Sequence, residues 1–315
     1  MNKIKIGVSS CLLGQPVRWD GGHKRDPFLT DTLGRYVTFV PVCPEVECGL
    51  PVPRKPLRLV GDPKRPRLVT QETGEDQTGR LAAWAEKRLL ELEREDLCGF
   101  IFKSRSPSCG LSRVKVFGPD TRSGRAGAGL WALRFAGRFP RLPAADEVRL
   151  KDPGLRQNFI QAVLVTKRWQ ALEAGPADPA RLAEFHARHS SLLLAHSPDL
   201  YRRLDRLAAQ NETTPLAKLL ADYHELFTQA MKLKTTPKKH ARALRHLAGC
   251  LEHDLGREEK AMLAEIVRQY AEEGLPWLMP ARLIRQHISN RGPQRLKAQY
   301  YLYPHPLELD PQIQV

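Results

Sequence analysis

The sequence lacks the long apolar runs of membrane-spanning proteins. No stretch of its 315 residues approaches the roughly 18–20 consecutive apolar residues that a transmembrane helix needs. The first residues, Met1 to Ile6, alternate like a strand and do not form the apolar core of a signal peptide. We therefore expect a cytoplasmic protein with no membrane partner.

Cysteine is scarce, and its spacing is not that of the common metal sites. The chain has 6 cysteines, and none form the CxxC spacing of zinc sites. Cys43 and Cys48 have the CxxxxC spacing, but the CxxC that would complete a plant-type ferredoxin site does not follow. In a reducing compartment we do not expect them to form disulfides. The sequence also has no internal repeat, and its 42% hydrophobic content is that of an ordinary globular protein.

Basic residues are in excess. The chain has 50 Lys and Arg against 35 Asp and Glu, a net charge of +15. Such an excess favours a polyanionic partner, and RNA or DNA is the first candidate. Binding is favourable because counterions are released when Lys and Arg neutralise the phosphates. A general bias toward basic residues is the alternative interpretation.

The first half of the chain predicts an α/β domain with a mostly parallel sheet. Residues 4–8, 36–42, 97–103 and 113–117 have the β-branched and aromatic composition of strands. A helix is predicted between them, capped by Thr78 and carrying one apolar stripe. Strands that alternate with helices favour parallel pairing. The proline-rich segment 51–78 is expected to be an extended surface loop.

The second half predicts an all-α domain. Thr236 followed by Pro237 is typical of a helix start. Prolines interrupt both patterns at residues 139–153, so we expect one domain over 1–145 and a helical one over 155–315. The apolar stripe of one predicted helix consists of Leu216, Leu219, Leu220, Tyr223, Phe227 and Met231.

Three cysteines follow predicted strands directly. Cys11, Cys43 and Cys109 each lie just beyond the carboxyl end of a strand, where open α/β sheets bind ligands. Three thiolates would leave one coordination position open, as reactive metal sites do. A single cysteine after a strand is more often a small buried hydrophobe. Cys48, Cys98 and Cys250 are expected to be such residues.

Around these cysteines the sequence resembles the thiouracil desulfurase family, in its long form with an additional helical domain. That long form is similar to RNA desulfidases that act on 4-thiouridine in transfer RNA. The resemblance implies a [4Fe–4S] cluster held by the three cysteines, with one open iron that accepts the thiocarbonyl sulfur. The matching motifs are residues 11–14 with 17–21, 43–45 with 49–54, 103–110 and, in the helical half, 185–196, 223–231 and 299–306.

Polar residues beside the cysteines are candidates for catalysis. Glu45, two residues beyond Cys43, is placed to act as general acid or base. Ser106 and Ser108 could orient water or the edge of the base. The alternatives are that Glu45 pairs with Arg54 and that the serines cap their loop.

Arg18, Asp20 and Lys103 are candidates for substrate binding, with structural salt bridges as the alternative. Trp19 stands where the family often has tyrosine, which preserves an aromatic wall.

The helical half offers an RNA-binding face and several histidines. A solvated charged surface, buried histidines and aromatic packing are the alternative interpretations. The oligomeric state is left open. The candidates for binding RNA phosphates are Lys232, Lys234, Lys238, Lys239, Arg242 and Arg245. The histidines are His186, His189, His196 and His240, and the tyrosines that could stack on bases are Tyr300, Tyr301 and Tyr303.

Three functions remain open from the residues. The first is a desulfidase that acts on 4-thiouridine in transfer RNA, and the second is a salvage enzyme for free thiouracil or its nucleotides. The third is a nucleic-acid-binding protein whose cysteines hold structural zinc.

Overall fold

The computed structural model describes residues 3–118, 124–209, 214–251 and 253–310. The chain forms two compact units. One consists of Met1–Phe159 with Val163–Lys167, and the other of Ile160–Ala162 with Arg168–Val315. We describe each unit by itself.

The first unit is an α/β structure. Its strands are β1 (Ile4–Ser9), β2 (Val37–Val42), β3 (Leu57–Asp62), β4 (Arg65–Thr70), β5 (Leu97–Phe102), β6 (Val114–Phe117), β7 (Arg125–Gly127) and β8 (Ala144–Asp146). Its helices include α1 (Pro44–Glu47), α2 (Thr78–Glu93) and α3 (Leu130–Arg138).

The main sheet is parallel, as predicted. Its order is β2-β1-β5-β8, and every neighbouring pair runs in the same direction. All six residues of β5 are buried, because a parallel sheet covered on both faces needs apolar side chains at successive positions. Gly7 in β1 is required by close packing: a Cβ there would lie 2.2 Å from the Phe100 ring.

A second sheet contradicts the predicted surface loop over residues 51–78. Its order is β4-β3-β6-β7, and β3 pairs with β4 as an antiparallel hairpin. The prolines in this segment are compatible with pairing because Pro63 lies in the turn and Pro66 lies on the edge strand β4. Leu59 and Leu68 are opposite one another and fully buried. The predicted strand over residues 113–117 is present, but it belongs to this sheet.

Helix α2 has the predicted apolar stripe but a different start. Its buried residues include Leu81 and Leu89. Thr78 is not the cap: its N–H donates to Asp76 Oδ1 at 2.8 Å, and its hydroxyl accepts from the Leu68 N–H at 2.8 Å. The N-cap position is Gln77, Asp76 accepts from the first N–H of the helix, and Thr78 connects the helix to strand β4.

The second unit is helical, as predicted. Thr236 caps its helix by accepting from the Lys239 N–H at 3.3 Å, with Pro237 at the first helical position. Among the described residues, no helix is both long and apolar enough to cross a membrane. The other α-helices in the described residues are α4 (Pro153–Glu173), α5 (Pro179–His196), α6 (Pro198–Ala208), α7 (Leu216–Lys232), α8 (Pro237–Gly249), α9 (Arg257–Glu273), α10 (Leu278–Arg291), α11 (Gln294–Lys297) and α12 (Pro306–Leu309).

Candidate metal centre

The structure brings Cys11, Cys43 and Cys109 to one cavity. Cys11 lies in the turn after β1, Cys43 lies between β2 and α1, and Cys109 lies in the loop after β5. These three strands are neighbours in a parallel sheet, so their carboxyl ends lie along the same edge. The cavity has a volume of about 300 Å³, and all three cysteines line it. Cys48, Cys98 and Cys250 do not contribute to its lining.

Burial disfavours a negative charge on each of the three sulfurs. It raises the pKa of Cys11 and of Cys43 to about 11, and it raises the pKa of Cys109 well above its usual value. The three groups also interact electrostatically: Cys43 raises the pKa of Cys11, and both raise the pKa of Cys109. Three thiolates at this site therefore require a cationic occupant to neutralise them.

Hydrogen-bond donors are already arranged around two of the sulfurs. Burial dominates the pKa of Cys43, but the backbone N–H groups of Val46 and Glu45 lower it. The hydroxyl of Ser9 likewise lowers the pKa of Cys109, against a larger effect of burial. Such donors stabilise metal-bound thiolates. Ser9 lies two residues before Cys11, and no sequence pattern indicated that its hydroxyl contacts a different cysteine, so this role was not predicted.

The donor set fits a cluster of several metal atoms better than a single ion. Within residues 3–118, 124–209, 214–251 and 253–310, no three cysteine, histidine, aspartate or glutamate side chains lie close enough together to hold one ion. The three thiols instead line a cavity and are near enough to raise one another's pKa. Soft thiolates with no histidine among them are typical of iron–sulfur clusters.

Glu45 lines the same cavity and is fixed on both oxygens. Its Oε1 accepts from the Ser108 hydroxyl at 2.8 Å, and its Oε2 accepts from both Nε and Nη2 of Arg54. Arg54 also donates to the carbonyl oxygens of Val17 and Pro51, and its side chain is only 6% exposed. The predicted alternative, a pair with Arg54, is therefore present and holds the carboxylate in place at the cavity.

The two serines of the third motif have different environments. Ser106 lines the cavity, and its oxygen accepts from the N–H groups of Ser108 and Cys109 at 3.2 and 3.1 Å. It therefore caps the loop, while its own hydrogen has no acceptor within the part of the chain that the structure describes. Ser108 is fully buried and donates to Glu45. Ser108 thus acts on the carboxylate, and Ser106 faces the cavity.

The three predicted substrate-binding residues are not equivalent. Arg18 and Lys103 line the cavity, whereas Asp20 does not. Asp20 accepts from the Gly22 N–H at 3.1 Å and lies 3.4 Å from Arg18 Nε, which makes it a turn residue at the surface. The ammonium group of Lys103 lies 2.5 Å from Glu147 Oε1.

Glu147 is a second residue that sequence reasoning missed. It follows β8 and accepts from the N–H and the hydroxyl of Ser104 at 2.8 and 2.7 Å, as well as from Lys103. Although burial opposes it, these bonds lower its pKa. Glu147 fixes the start of the loop that carries Cys109. No sequence motif marks it, because its partners are about 43 residues away in the chain.

The four candidate histidines form hydrogen bonds within the helical unit, which corresponds to the alternative of buried histidines. His189 and His196 donate to the carbonyl oxygens of Phe185 and Leu233, and His240 bonds to the Tyr301 hydroxyl. His186 bonds to the Tyr223 hydroxyl at 3.0 Å and to Asp205 at 3.2 Å.

The C-terminal tyrosines also pack within the helical unit. Tyr300 lies under the Arg168 guanidinium at 3.6 Å, and Tyr303 bonds to Ser289 at 3.2 Å. These contacts correspond to the packing alternative rather than to free stacking platforms.

One exposed face of α8 is basic. Lys238, Arg242 and Arg245 are exposed at a spacing of four and three residues, and no described residue forms an ion pair or hydrogen bond with their side chains. Lys239 differs because its ammonium group donates to the carbonyl oxygens of His196 and Lys234 at 3.0 and 2.8 Å. Lys239 is therefore part of the helix packing.

Two families match this chain in separate regions. The model for 2-thiouracil desulfurase matches residues 6–147, and the one described as a protein of unknown function, DUF1722, matches residues 191–306. YbbK of Bacillus subtilis (strain 168) is 31% identical over 110 residues, which cover 33% of this chain and 72% of YbbK. YbgA of Escherichia coli (strain K12) is 24% identical over 131 residues, 41% of this chain and 78% of YbgA.

Among solved structures, the [4Fe-4S]-dependent thiouracil desulfidase TudS is 34% identical. The match covers 48% of this chain and 95% of TudS, with a TM-score of 0.39. The family region, residues 6–147, contains all three cysteine motifs. The chain therefore belongs to the 2-thiouracil desulfurase family.

Proposed function

We propose that this protein is an iron–sulfur desulfidase that converts 4-thiouridine in transfer RNA to uridine. The observation that carries the proposal is one cavity lined by three cysteine thiols and a fixed carboxylate, Glu45. Membership of the 2-thiouracil desulfurase family supports the reaction type. The exposed basic face of α8, in the helical unit, supports RNA as the carrier of the thiolated base.

Cys11, Cys43 and Cys109 would hold a [4Fe–4S] cluster. When bound, the cluster would supply a Lewis-acidic iron, not taken by protein, for the departing sulfur. Ser9 and the first N–H groups of α1 would donate hydrogen bonds to the ligating sulfurs.

The chain's own residues supply proton transfer. Replacing C=S by C=O consumes one water and releases the sulfur as hydrogen sulfide. Glu45 would take a proton from the attacking water and return it to the product side, as a general base and then acid. Arg54 and Ser108 hold its two oxygens in place during this transfer. Ser106 would donate its hydroxyl hydrogen to the edge of the pyrimidine.

The helical unit would hold the RNA. Lys238, Arg242 and Arg245 form one exposed basic face that can contact successive phosphates. A base inside a folded RNA must leave its stack before C4 reaches an enclosed site. We therefore infer that the target nucleoside is flipped or already unstacked when it enters the cavity.

Anaerobic reconstitution with iron and sulfide tests the cluster and the reaction together. The holoprotein should absorb visible light and should remove 4-thiouridine absorbance from thiolated bulk transfer RNA. Cys109→Ser should lose both properties, whereas Cys250→Ser, in the other unit, should keep them. A colourless preparation with stoichiometric zinc and no desulfidation would favour the nucleic-acid-binding alternative and refute this proposal.

A second candidate function is the desulfuration of free thiouracil, which the family description and the small cavity favour. The triple variant Lys238→Gln, Arg242→Gln, Arg245→Gln separates the two. If RNA is the substrate, the variant loses turnover of transfer RNA and keeps that of free thiouracil. Equal turnover of transfer RNA by variant and wild type would show that the basic face of α8 does not bind the RNA substrate.

A further inference from the structure

We propose that a groove on helices α9 and α10 is the interface through which two copies of this chain form a symmetric dimer. Four apolar side chains line this α9–α10 groove: Met262 and Ile266 of α9, and Met279 and Leu283 of α10. The groove lies wholly in the helical unit, so a dimer formed there requires neither the cysteine cavity nor the proposed reaction.

The groove is apolar, although it is not part of the core of the helical unit. The two helices contribute other side chains to that core, and Leu263, Val267 and Ile284 are among the buried ones. In contrast, Met262 is 58% exposed and Met279 is 47% exposed. The groove has a volume of about 570 Å³. Exposed apolar patches mark interaction surfaces, and methionine suits them because its flexible side chain adapts to a partner.

The α10 edge of the groove is positive. Arg282 and Arg285 line the groove, and neither forms an ion pair with any residue that the structure describes. The Arg285 guanidinium lies 5.8 Å from the centre of the Tyr303 ring. Helix α10 contains three arginines and no aspartate or glutamate, so nothing in the helix itself neutralises this edge.

The α9 edge of the groove is negative. Glu258 and Glu265 lie four residues before and three residues after Met262, so both are its neighbours on the helix surface. Glu265 binds the Arg268 guanidinium, which also binds two further glutamates of the same helix. One cation shared by three carboxylates leaves a net negative charge. Glu258 is exposed and has no ion pair in the part of the chain that the structure describes.

A second copy of the chain is the partner that this charge distribution fits. A two-fold axis that runs along the groove places α9 of one copy opposite α10 of the other, so each negative edge meets a positive edge. The apolar side chains of the two copies then lie between two rows of opposite charges. A two-fold axis across the groove would instead place like charges opposite one another, which is unfavourable.

The dimensions of the groove surface predict a weak dimer. Helix α10 has 14 residues and is therefore about 21 Å long, and two packed helices are about 20 Å wide. Such an interface buries on the order of 900 Å² in total, which is the size class of transient complexes. We therefore expect a dissociation constant on the order of 10 µM.

Sedimentation equilibrium of the full-length protein from about 1 to about 200 µM tests the dimer. Nuclease treatment and a reducing agent remove bridging RNA and disulfides, which would also join two copies. Wild type should change from monomer to dimer across this range. The double variant Met262→Gln, Met279→Gln should raise the dissociation constant at least about ten-fold, because polar amides replace the apolar centre of the interface.

Two charge-reversal variants test the symmetry. Arg282→Glu with Arg285→Glu makes both edges negative, and Glu258→Lys with Glu265→Lys makes both edges positive. Each variant alone should dimerise at least about ten-fold more weakly than wild type. An equimolar mixture of the two should recover association, because a groove with two negative edges then meets one with two positive edges. Recovery in the mixture also shows that both variants are folded.

The matched control is Arg203→Glu with Arg206→Glu, which reverses two exposed arginines of α6 outside the groove and should dimerise like wild type. A wild-type protein that remains monomeric up to about 200 µM overturns the dimer. A dimer that neither the methionine variant nor the charge reversals weaken also overturns the proposal, because its interface then lies elsewhere. Charge-reversed variants that weaken association separately but do not associate when mixed contradict the two-fold arrangement.

Discussion

Acidification from pH 7.5 to 5.5 should destabilise the helical unit, because three of its histidines are buried without charge. Burial is the first cause in each case: it lowers the pKa of His189 to about 3 and the pKa of His196 and His240 to about 4. Their usual value is 6.5. The folded unit therefore excludes protons that the unfolded chain binds between pH 6.5 and about 4.

The sign and size of the effect follow from this difference. A depressed histidine pKa contributes stability that is fully present above pH 6.5 and is lost as the pH falls toward the folded value. Each such histidine changes the free energy of unfolding by about 1.4 kcal/mol per pH unit in that window. Three of them give a loss of about 4 kcal/mol at pH 5.5, a large part of an ordinary domain's stability.

Urea unfolding, followed by far-ultraviolet circular dichroism at several pH values, measures this slope. His196→Asn keeps a donor for the Leu233 carbonyl oxygen but cannot titrate, so it should reduce the slope by about 1.4 kcal/mol per pH unit. His246→Asn, on the exposed face of α8, is the control and should leave the slope as in wild type. Equal slopes for His196→Asn and wild type would refute the reasoning.

Three further substitutions and one control variant test the packing and the site. Gly129→Ala places a Cβ 2.4 Å from the Ser108 carbonyl oxygen, so it should cost about 1–3 kcal/mol in thermal unfolding and weaken cluster retention, measured by visible absorbance. Gly137→Ala in the same helix has no atom within 4 Å and should be neutral or stabilising. Glu45→Gln should keep the visible absorbance and reduce kcat by about 10²–10⁴-fold in a desulfidation assay; full activity would exclude its role in proton transfer. Leu244→Ala, fully buried in α8, should cost the helical unit about 2–5 kcal/mol in urea unfolding; a change below 1 kcal/mol would contradict the packing.

The parts of the fold that depend on local pattern could be predicted from the sequence. Strand β5 is a continuous apolar run, and α2 has a helical stripe, so each pattern fixes its own element. The β3–β4 hairpin could not be predicted in the same way. Its prolines are typical of a loop, and they are compatible with a strand only because β4 lies at a sheet edge. That position is a property of the complete sheet.

The family assignment could also be predicted from the sequence, because it depends on the cysteine motifs. The comparisons confirm it. The placement of Cys11, Cys43 and Cys109 follows from one physical rule, that carboxyl ends of parallel neighbours share an edge. The partners of charged side chains follow from no such rule. Lys103 meets Glu147, which is 44 residues away and belongs to no motif.

These partners decide which cations remain for a substrate. Two carboxylates, Glu45 and Glu147, neutralise Arg54 and Lys103 beside the cysteines. Lys24 and Arg105 also line the cavity, but they are exposed and form no ion pair with any described residue. A neutral base can then lie beside the thiols without an unpaired charge next to it. The acidic residues, more than the basic excess of the whole chain, therefore determine the distribution of charge in this cavity.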